Sequence, residues 1–293
     1  MSAVIADNTE EHPLAGVVDL GRYPIHQRDG DARDELLRRC RASSTTTVAW
    51  CSRASSARRR WPRSARRPAS SRREPTTTRP TPTRTTPTAT RRFRTTTQER
   101  LRRPHQRLRR GDLIAQDTAV RRIYHNPDFQ RFIAAALEEP ELHEYADPLA
   151  GLVINVLRDG CQHPWHYDTN EFIVTMMTQK PERGGDFEYC PHIRSPEDEN
   201  FQGVQRVLEG DRNPVKTLSL EPGDLQIFDG RYSLHRVARV HGETERHTVI
   251  FGYAREPGFI GRAERAQRIF GRMAPVHERQ LEEGLERSDN LAD

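Results

Sequence analysis

The sequence predicts a mainly β domain with flanking helices, a sandwich or barrel of short strands preceded by a long stretch that cannot pack. Three observations carry that expectation. From residue 152 to 253 short apolar segments follow one another, each bounded by Gly, Pro or Asp, at a density that suits a sandwich or barrel better than a parallel sheet. From Asp112 onward apolar residues recur at helical spacing. Between 41 and 110 neither the helical nor the strand period is sustained, and the chain runs in Arg, Ser, Thr and Pro with almost no aliphatic residues.

In chain order, residues 1–40 read as the N-terminal part of the domain: an apolar stretch at Val17, Val18 and Leu20, then a helical run through Asp31, Glu35, Leu36 and Leu37. Residues 41–110 hold too little apolar surface to offset the entropy of ordering them. Residues 111–260 form the main domain. It opens with two helices, marked by Leu113, Ile114, Val120, Ile123, Tyr124, Phe129, Phe132, Ile133 and Leu137. Asp147-Pro148 makes a turn, 152–157 an apolar strand, and further strands are expected at 171–178, 185–189, 215–220, 224–228, 236–240 and 248–253. Residues 261–293 read as one charged C-terminal helix packed outside the barrel.

Composition narrows the function. Over 293 residues the chain is 34% hydrophobic and 30% charged, with a net charge of +5. That charge is unevenly spread: 41–110 holds 21 Arg against two acidic residues, which leaves the rest of the chain at −14. A basic whole-protein surface for nucleic acid is therefore excluded, and the basic stretch itself has only Trp50, Trp61 and Phe93 with which to stack bases. No apolar run approaches a membrane span, and Cys40, Cys51, Cys161 and Cys190 form no CxxC pair or framework. Reduced thiols and a cytoplasmic location are expected. Nothing in the sequence speaks to oligomeric state.

The chemistry concentrates at His166 and Asp168. One residue apart on an extended strand, they share a face and can chelate one ion. A lone His-x-Asp is a common chance pairing, so the context matters. About 70 residues on, Glu221-Pro222-Gly223-Asp224 makes a tight turn before an apolar strand, and Ser233-Leu234-His235-Arg236-Val237 follows. Two imidazoles and one carboxylate form a facial triad that leaves open coordination positions, as oxygen chemistry at iron(II) requires. Arg246, one strand later, can pair bidentately with a carboxylate.

Trp165-His166-Tyr167-Asp168, the run from Gly184 through Tyr189, Glu221 through Asp224, His235-Arg236-Val237 and Arg246 together resemble the iron(II)/2-oxoglutarate-dependent dioxygenase superfamily, and within it the bacterial group of free amino-acid hydroxylases and halogenases. The resemblance covers about half the chain, from Asp112 to Gly258. It implies a double-stranded β-helix, a jelly-roll-like barrel with the metal in its mouth. It also implies His166, Asp168 and His235 as metal ligands and catalytic centre, and Arg246, Asn155 and Thr175 as co-substrate residues. Fe(II), 2-oxoglutarate and O2 would be required, with ascorbate as reductant. Relatives that halogenate replace the ligand carboxylate by a small residue, so Asp168 implies hydroxylation of a small-molecule substrate, a small polar metabolite such as a free amino acid.

Competing readings stay in view. His241 and His247 lie near His235, but only His235 stands in the His-Arg-Val motif. Arg239 and Arg255 compete with Arg246, which alone precedes an apolar strand. His163 reads equally as a substrate-facing group or a solvated loop residue, and Trp165 is paired with it as a substrate contact. His192, Arg194 and 197–199 read as a solvated insertion loop.

For 41–110 two expectations stand: a disordered basic linker, or the wrong-frame translation of a gene segment. In a G/C-rich gene, repeated Asp codons read as Thr or Arg in the other frames, and only Lys180 and Lys216 among the 47 basic residues are Lys, as such a gene would give. A shifted frame would remove N-terminal elements that cover substrate. The alternatives to an active enzyme are thus a catalytically impaired oxygenase-fold protein and, more remotely, a nucleic-acid-binding protein acting through the Arg-rich segment.

Overall fold

Strand alternation decides the architecture, because every long strand buries one set of side chains against helices and aims the other at a second sheet. The protein was analysed as a computed structural model, which describes residues 12–41, 47–48, 107–109, 111–168, 170 and 172–283. In chain order the elements are α1 (Asp31–Arg41), β1 (Thr47–Val48), β2 (Arg107–Arg109), α2 (Ala119–Tyr124), α3 (Pro127–Ala136), β3 (His143–Glu144), β4 (Leu152–Leu157) and β5 (His163–His166). Then come β6 (Ile173–Gln179), β7 (Arg183–Gly184), β8 (Phe187–Cys190), α4 (Phe201–Glu209), β9 (Lys216–Leu218), β10 (Leu225–Phe228), β11 (Leu234–Val237) and β12 (Val240–His241). The last are β13 (Arg246–Phe251), β14 (Tyr253–Ala254), α5 (Ala263–Phe270) and α6 (Pro275–Glu283).

Two antiparallel sheets face each other, a six-stranded one ordered β1-β10-β6-β13-β4-β2 and a four-stranded one ordered β5-β11-β8-β9. Strands distant in sequence pair throughout, the crossed connectivity of a jelly roll. In the six-stranded sheet one face carries Leu152, Ile154, Val156, Val174, Leu225, Ile227, Val249 and Phe251. These pack on Leu36 and Leu37 of α1, Ile123 of α2 and Phe129, Phe132 and Ile133 of α3, forming the main core. The other face, fixed by the pairs Thr248↔Asn155, Ile250↔Thr175 and Gln226↔Thr175, mixes polar and apolar side chains and looks into the barrel. The four-stranded sheet turns Phe187, Tyr189 and Val237 inward, where they meet Leu157 and Phe228. Its outer face (Trp165, Cys190, Leu234) is covered by Val204 and Val207 of α4.

Local sequence explains the helix ends. Asn126 caps α3 by accepting from the amides of Asp128 (2.9 Å) and Phe129 (3.1 Å), and Pro127 fills the first turn, where a missing N–H costs nothing. Asn200 caps α4 through the Gly203 amide.

Three expectations need correction. The C-terminal segment holds two helices, not one: Gly271, at φ +71, ends α5 and Pro275 opens α6. Both ends of this pair are tied to one buried carboxylate, Asp147, which accepts from the Gly261 amide (3.2 Å) and bonds His277 Nε2 (2.9 Å). Second, α4 had no counterpart in the sequence reading. Third, Arg194 is no solvated loop residue: it is 2% exposed, its guanidinium lies 3.6 Å from the Tyr167 ring centroid, and it pairs with Glu199 (2.9 Å). A buried charge needs such a partner, and one lay five residues away. Of residues 41–110, only Arg41, β1 and β2 fall among the described residues, and the two strands add edges to the six-stranded sheet that the composition gave no sign of. The linker and wrong-frame expectations otherwise lie outside the described residues. No helix among them is long and apolar enough to cross a membrane.

Candidate metal centre

His166 ends β5 and His235 sits in β11, and the two are direct cross-strand partners. Antiparallel pairing therefore places both imidazoles on the inner face, with ring centroids 4.0 Å apart. Asp168 follows β5 by two residues, on the same side. Its Oδ2 lies 3.1 Å from His235 Nε2 and its Oδ1 3.8 Å from His166 Nε2. The three ligand atoms all fall within 4.8 Å of one another, the one such cluster among the described residues.

Each imidazole is oriented from behind. His166 Nδ1 donates to the Pro164 carbonyl (2.9 Å) and His235 Nδ1 to the Ser233 carbonyl (2.8 Å). A carbonyl can only accept, so each ring, when neutral, carries its proton on Nδ1 and turns the Nε2 lone pair inward. Burial, then the neighbouring His163 and His235, hold His166 well below the ordinary histidine range. Burial works to raise the Asp168 carboxyl, but a protonated His235, by charge and by a hydrogen bond from its Nε2, and then His166 hold it well below the ordinary carboxylate range. Two lone pairs and a carboxylate facing one point at this spacing fit a divalent cation.

The backbone is shaped around Asp168. Its amide donates to the Gly230 carbonyl (3.0 Å), and a Cβ at Gly230 would lie 2.3 Å from Asp168 Oδ2. Only glycine lets the chain pass this close to the carboxylate.

Across the barrel Arg246 is 2% exposed. Its Nε donates to the Gly185 carbonyl (2.8 Å) and its Nη1 to Thr248 Oγ1, and among the described residues no carboxylate lies within ion-pair distance. Burial pulls its pKa down to about 10, opposed by the more distant Asp186. A buried guanidinium with only neutral partners fits a bound carboxylate. On the same inner face Asn155 Oδ1 and Gln226 Nε2 are buried without hydrogen-bond partners, and Thr175 Oγ1 donates to Gln226 Oε1 (3.3 Å). The other arginines weighed against Arg246 are engaged elsewhere: Arg239 on the Gly160 carbonyl and Arg255 on Glu139. His247 bonds Glu245 (3.0 Å), and His241 is exposed.

His163 lies beside the triad, its ring 3.8 Å from that of His166, and burial pushes its pKa down to about 3. Trp165 does not face the site. It points to the outer face, under the Arg236 guanidinium (4.8 Å) and against α4, because strand alternation that turns His166 inward turns Trp165 outward. Sequence reading missed Gln226, Thr248 and Gly230. A polar residue inside Leu-Gln-Ile-Phe and a Gly-Arg pair just before the His235 segment were the available signals.

A jelly roll with an inward His–Asp–His triad opposite a buried arginine defines the class of iron(II)/2-oxoglutarate-dependent oxygenases. Within it, the chain belongs to the Halogenase D family, whose sequence model matches residues 85–266. Solved structures with a similar chain path include a 2OG-Fe(II) oxygenase family oxidoreductase from Burkholderia pseudomallei, at 16% identity and a TM-score of 0.37 over 50% of this chain and 59% of that one. AviO1 from Streptomyces viridochromogenes Tue57 matches at 16% identity and 0.40, over 52% and 68%. A prolyl-4-hydroxylase from Pseudomonas putida matches at 12% and 0.32, over 55% and 80%. The chain thus spans about three fifths of the length of the Burkholderia protein. No curated protein matches the sequence.

Proposed function

We propose that the protein is an Fe(II)- and 2-oxoglutarate-dependent hydroxylase of a small polar metabolite, with free amino acids as the favoured substrate class. His166, Asp168 and His235 would hold the iron, and Arg246 with Asn155 and Thr175 the oxoglutarate. Together, iron and co-substrate supply an oxidant, made from dioxygen as oxoglutarate is decarboxylated to succinate, strong enough to take hydrogen from an unactivated C–H bond. The chain's own residues position and shield. The two Nδ1 donations keep Nε2 of His166 and His235 aimed at one point, and Arg246 offers a buried cation placed to hold a carboxylate across from them. Phe187 and Phe228, whose rings lie 5.6 and 4.9 Å from that of His235, keep water from the inner wall. His163, neutral and stacked on His166, can orient a substrate polar group by hydrogen bonding.

The observation that carries hydroxylation over halogenation is Asp168. The family's name points to halogenation, but a halide needs the position that this carboxylate fills, and the chain keeps glycine at 230, where a Cβ would lie 2.3 Å from that carboxylate. The test is a screen of free amino acids with iron(II), ascorbate, oxoglutarate and chloride, read by product mass. A gain of one oxygen with stoichiometric succinate is expected, and Asp168→Gly should end it. A chlorinated product from the unmodified protein would overturn the reading. Iron uptake without any succinate release would favour the catalytically impaired barrel instead.

A further inference from the structure

Gln226 is a buried side chain whose chemistry nothing above uses. It sits in β10 between Leu225 and Ile227, which belong to the main core, so strand alternation turns it to the inner face with Phe228. It is 2% exposed, its Oε1 accepts from Thr175 Oγ1 (3.3 Å), and its Nε2 has no partner. Rotating the amide would not help: Nε2 would then donate to Thr175, leaving the threonine proton and the second amide proton unspent. Either way the pair presents a buried donor to the barrel interior, and such a donor costs stability unless a bound group meets it.

The register says where that donor lies. Ile250 pairs with Thr175, and Thr175 with Gln226, so the pair is level with Ile250, four residues beyond Arg246 on β13. The Arg246 guanidinium already reaches forward to Thr248 Oγ1. The remaining step, from Thr248 to Ile250, is about 7 Å along a strand. A five-carbon dicarboxylate spans roughly 6–7 Å at ordinary bond lengths. Phe228, one pleat further along β10, contacts the ring of His235, so the donor lies toward the metal end of the cavity.

We propose that Gln226, presented by Thr175, is a positioning residue that donates to the inner carboxylate of bound 2-oxoglutarate, the end opposite Arg246. The inference rests on the hydroxylase reading above. It explains why the sheet keeps a polar pair on its inner face while its other face is mainly apolar: the donor is held unspent until co-substrate arrives. It makes an unusual prediction, because removing Gln226 should relieve a buried unpaired group and weaken ligand binding together.

The experiment uses the full chain with Mn(II) in place of iron, to prevent turnover, and 2-oxoglutarate as the probe. Gln226→Leu should leave Mn(II) affinity within twofold, raise or preserve the melting temperature without ligand, and weaken oxoglutarate binding by calorimetry about tenfold, as loss of one charge-assisted hydrogen bond implies. Gln226→Glu, nearly the same size, sets like charge against the carboxylate and should weaken binding further while folding normally. Oxoglutarate binding within twofold of wild type in both variants overturns the proposal. So does a lowered melting temperature in the leucine variant, which would make the amide a structural member of the sheet. A wild type that binds Mn(II) but not oxoglutarate would instead overturn the hydroxylase reading, and the wild-type titration distinguishes the two failures.

Discussion

The two sheets meet at one site but prepare it in opposite ways. On the four-stranded sheet the metal end is already satisfied: both imidazoles are held through Nδ1, and the outer aromatics of the ligand strand, Trp165 and Tyr167, lie under the guanidinium groups of Arg236 and Arg194. Those arginines are themselves paired, with Glu188 and Glu199. On the six-stranded sheet the end proposed for the co-substrate is left unsatisfied, with a buried guanidinium at Arg246 that meets only neutral partners and unpartnered atoms on Asn155 and Gln226. The contrast teaches that one sheet fixes its imidazoles in advance while the other leaves buried polar groups unmet, which suits the organic anion proposed to bind there. Its stability comes from elsewhere, from the apolar face that packs on α1, α2 and α3.

The sharpest way to break the comparison is at the metal end. His166→Ala or His235→Ala leaves two ligands and should lower iron(II) affinity on the order of a thousandfold or more, with turnover lost. Dialysis against iron(II) with metal analysis checks it, and substantial turnover in either variant would refute the triad. Next, the apolar face should separate stability from binding. Phe132→Ala, at a side chain with no exposed surface, should cost about 3–5 kcal/mol in denaturant unfolding and leave metal affinity within twofold at temperatures where the protein is folded. A third test addresses the unsatisfied end. Arg246→Ala should raise the oxoglutarate requirement about a hundredfold and disturb iron binding little. An unchanged requirement would refute the role of Arg246.

The smallest effect concerns the brace behind the metal strand. Burial works to raise the Glu188 carboxyl, yet hydrogen bonds from Arg212 (2.6 and 3.0 Å) and Arg236 hold it below the ordinary value of 4.5. Because the folded pKa is depressed, its stabilisation is present above pH 4.5 and is lost as pH falls through the folded value. Glu188→Gln should therefore cost on the order of 1 kcal/mol near neutral pH and flatten the stability loss below pH 4.5. A pH series of urea midpoints reads it. Parallel curves for the two proteins would remove Glu188 from the brace.

Much of this was legible in the sequence because strands read in alternation. His166 and Asp168 two apart, the Glu-Pro-Gly-Asp turn and the His235 motif are local patterns, and the resemblance read from the sequence rests on them. The strands at 152–157, 224–228 and 248–253 announced themselves by apolar runs between turn residues, and they form as β4, β10 and β13 with small shifts at their ends. What escaped was nonlocal. Gln226 looks like a flaw in an apolar strand until its register with Thr175 and Ile250 is known. Arg194 looks solvated until the Tyr167 ring and Glu199 close on it. Trp165 is the instructive error: the alternation that made His166 a ligand already placed its neighbour on the other face.

The claim at the centre is that both sheets act on one centre, the first holding iron and the second its co-substrate. The most direct measurement is an anaerobic titration of the purified protein with iron(II) and then 2-oxoglutarate, followed by visible absorption. One iron should bind per chain without colour, and a charge-transfer band should appear on adding one equivalent of oxoglutarate, lost in His235→Ala and displaced to much higher oxoglutarate in Arg246→Ala. Iron that binds with no band at saturating oxoglutarate, or a band indifferent to both substitutions, would contradict the account.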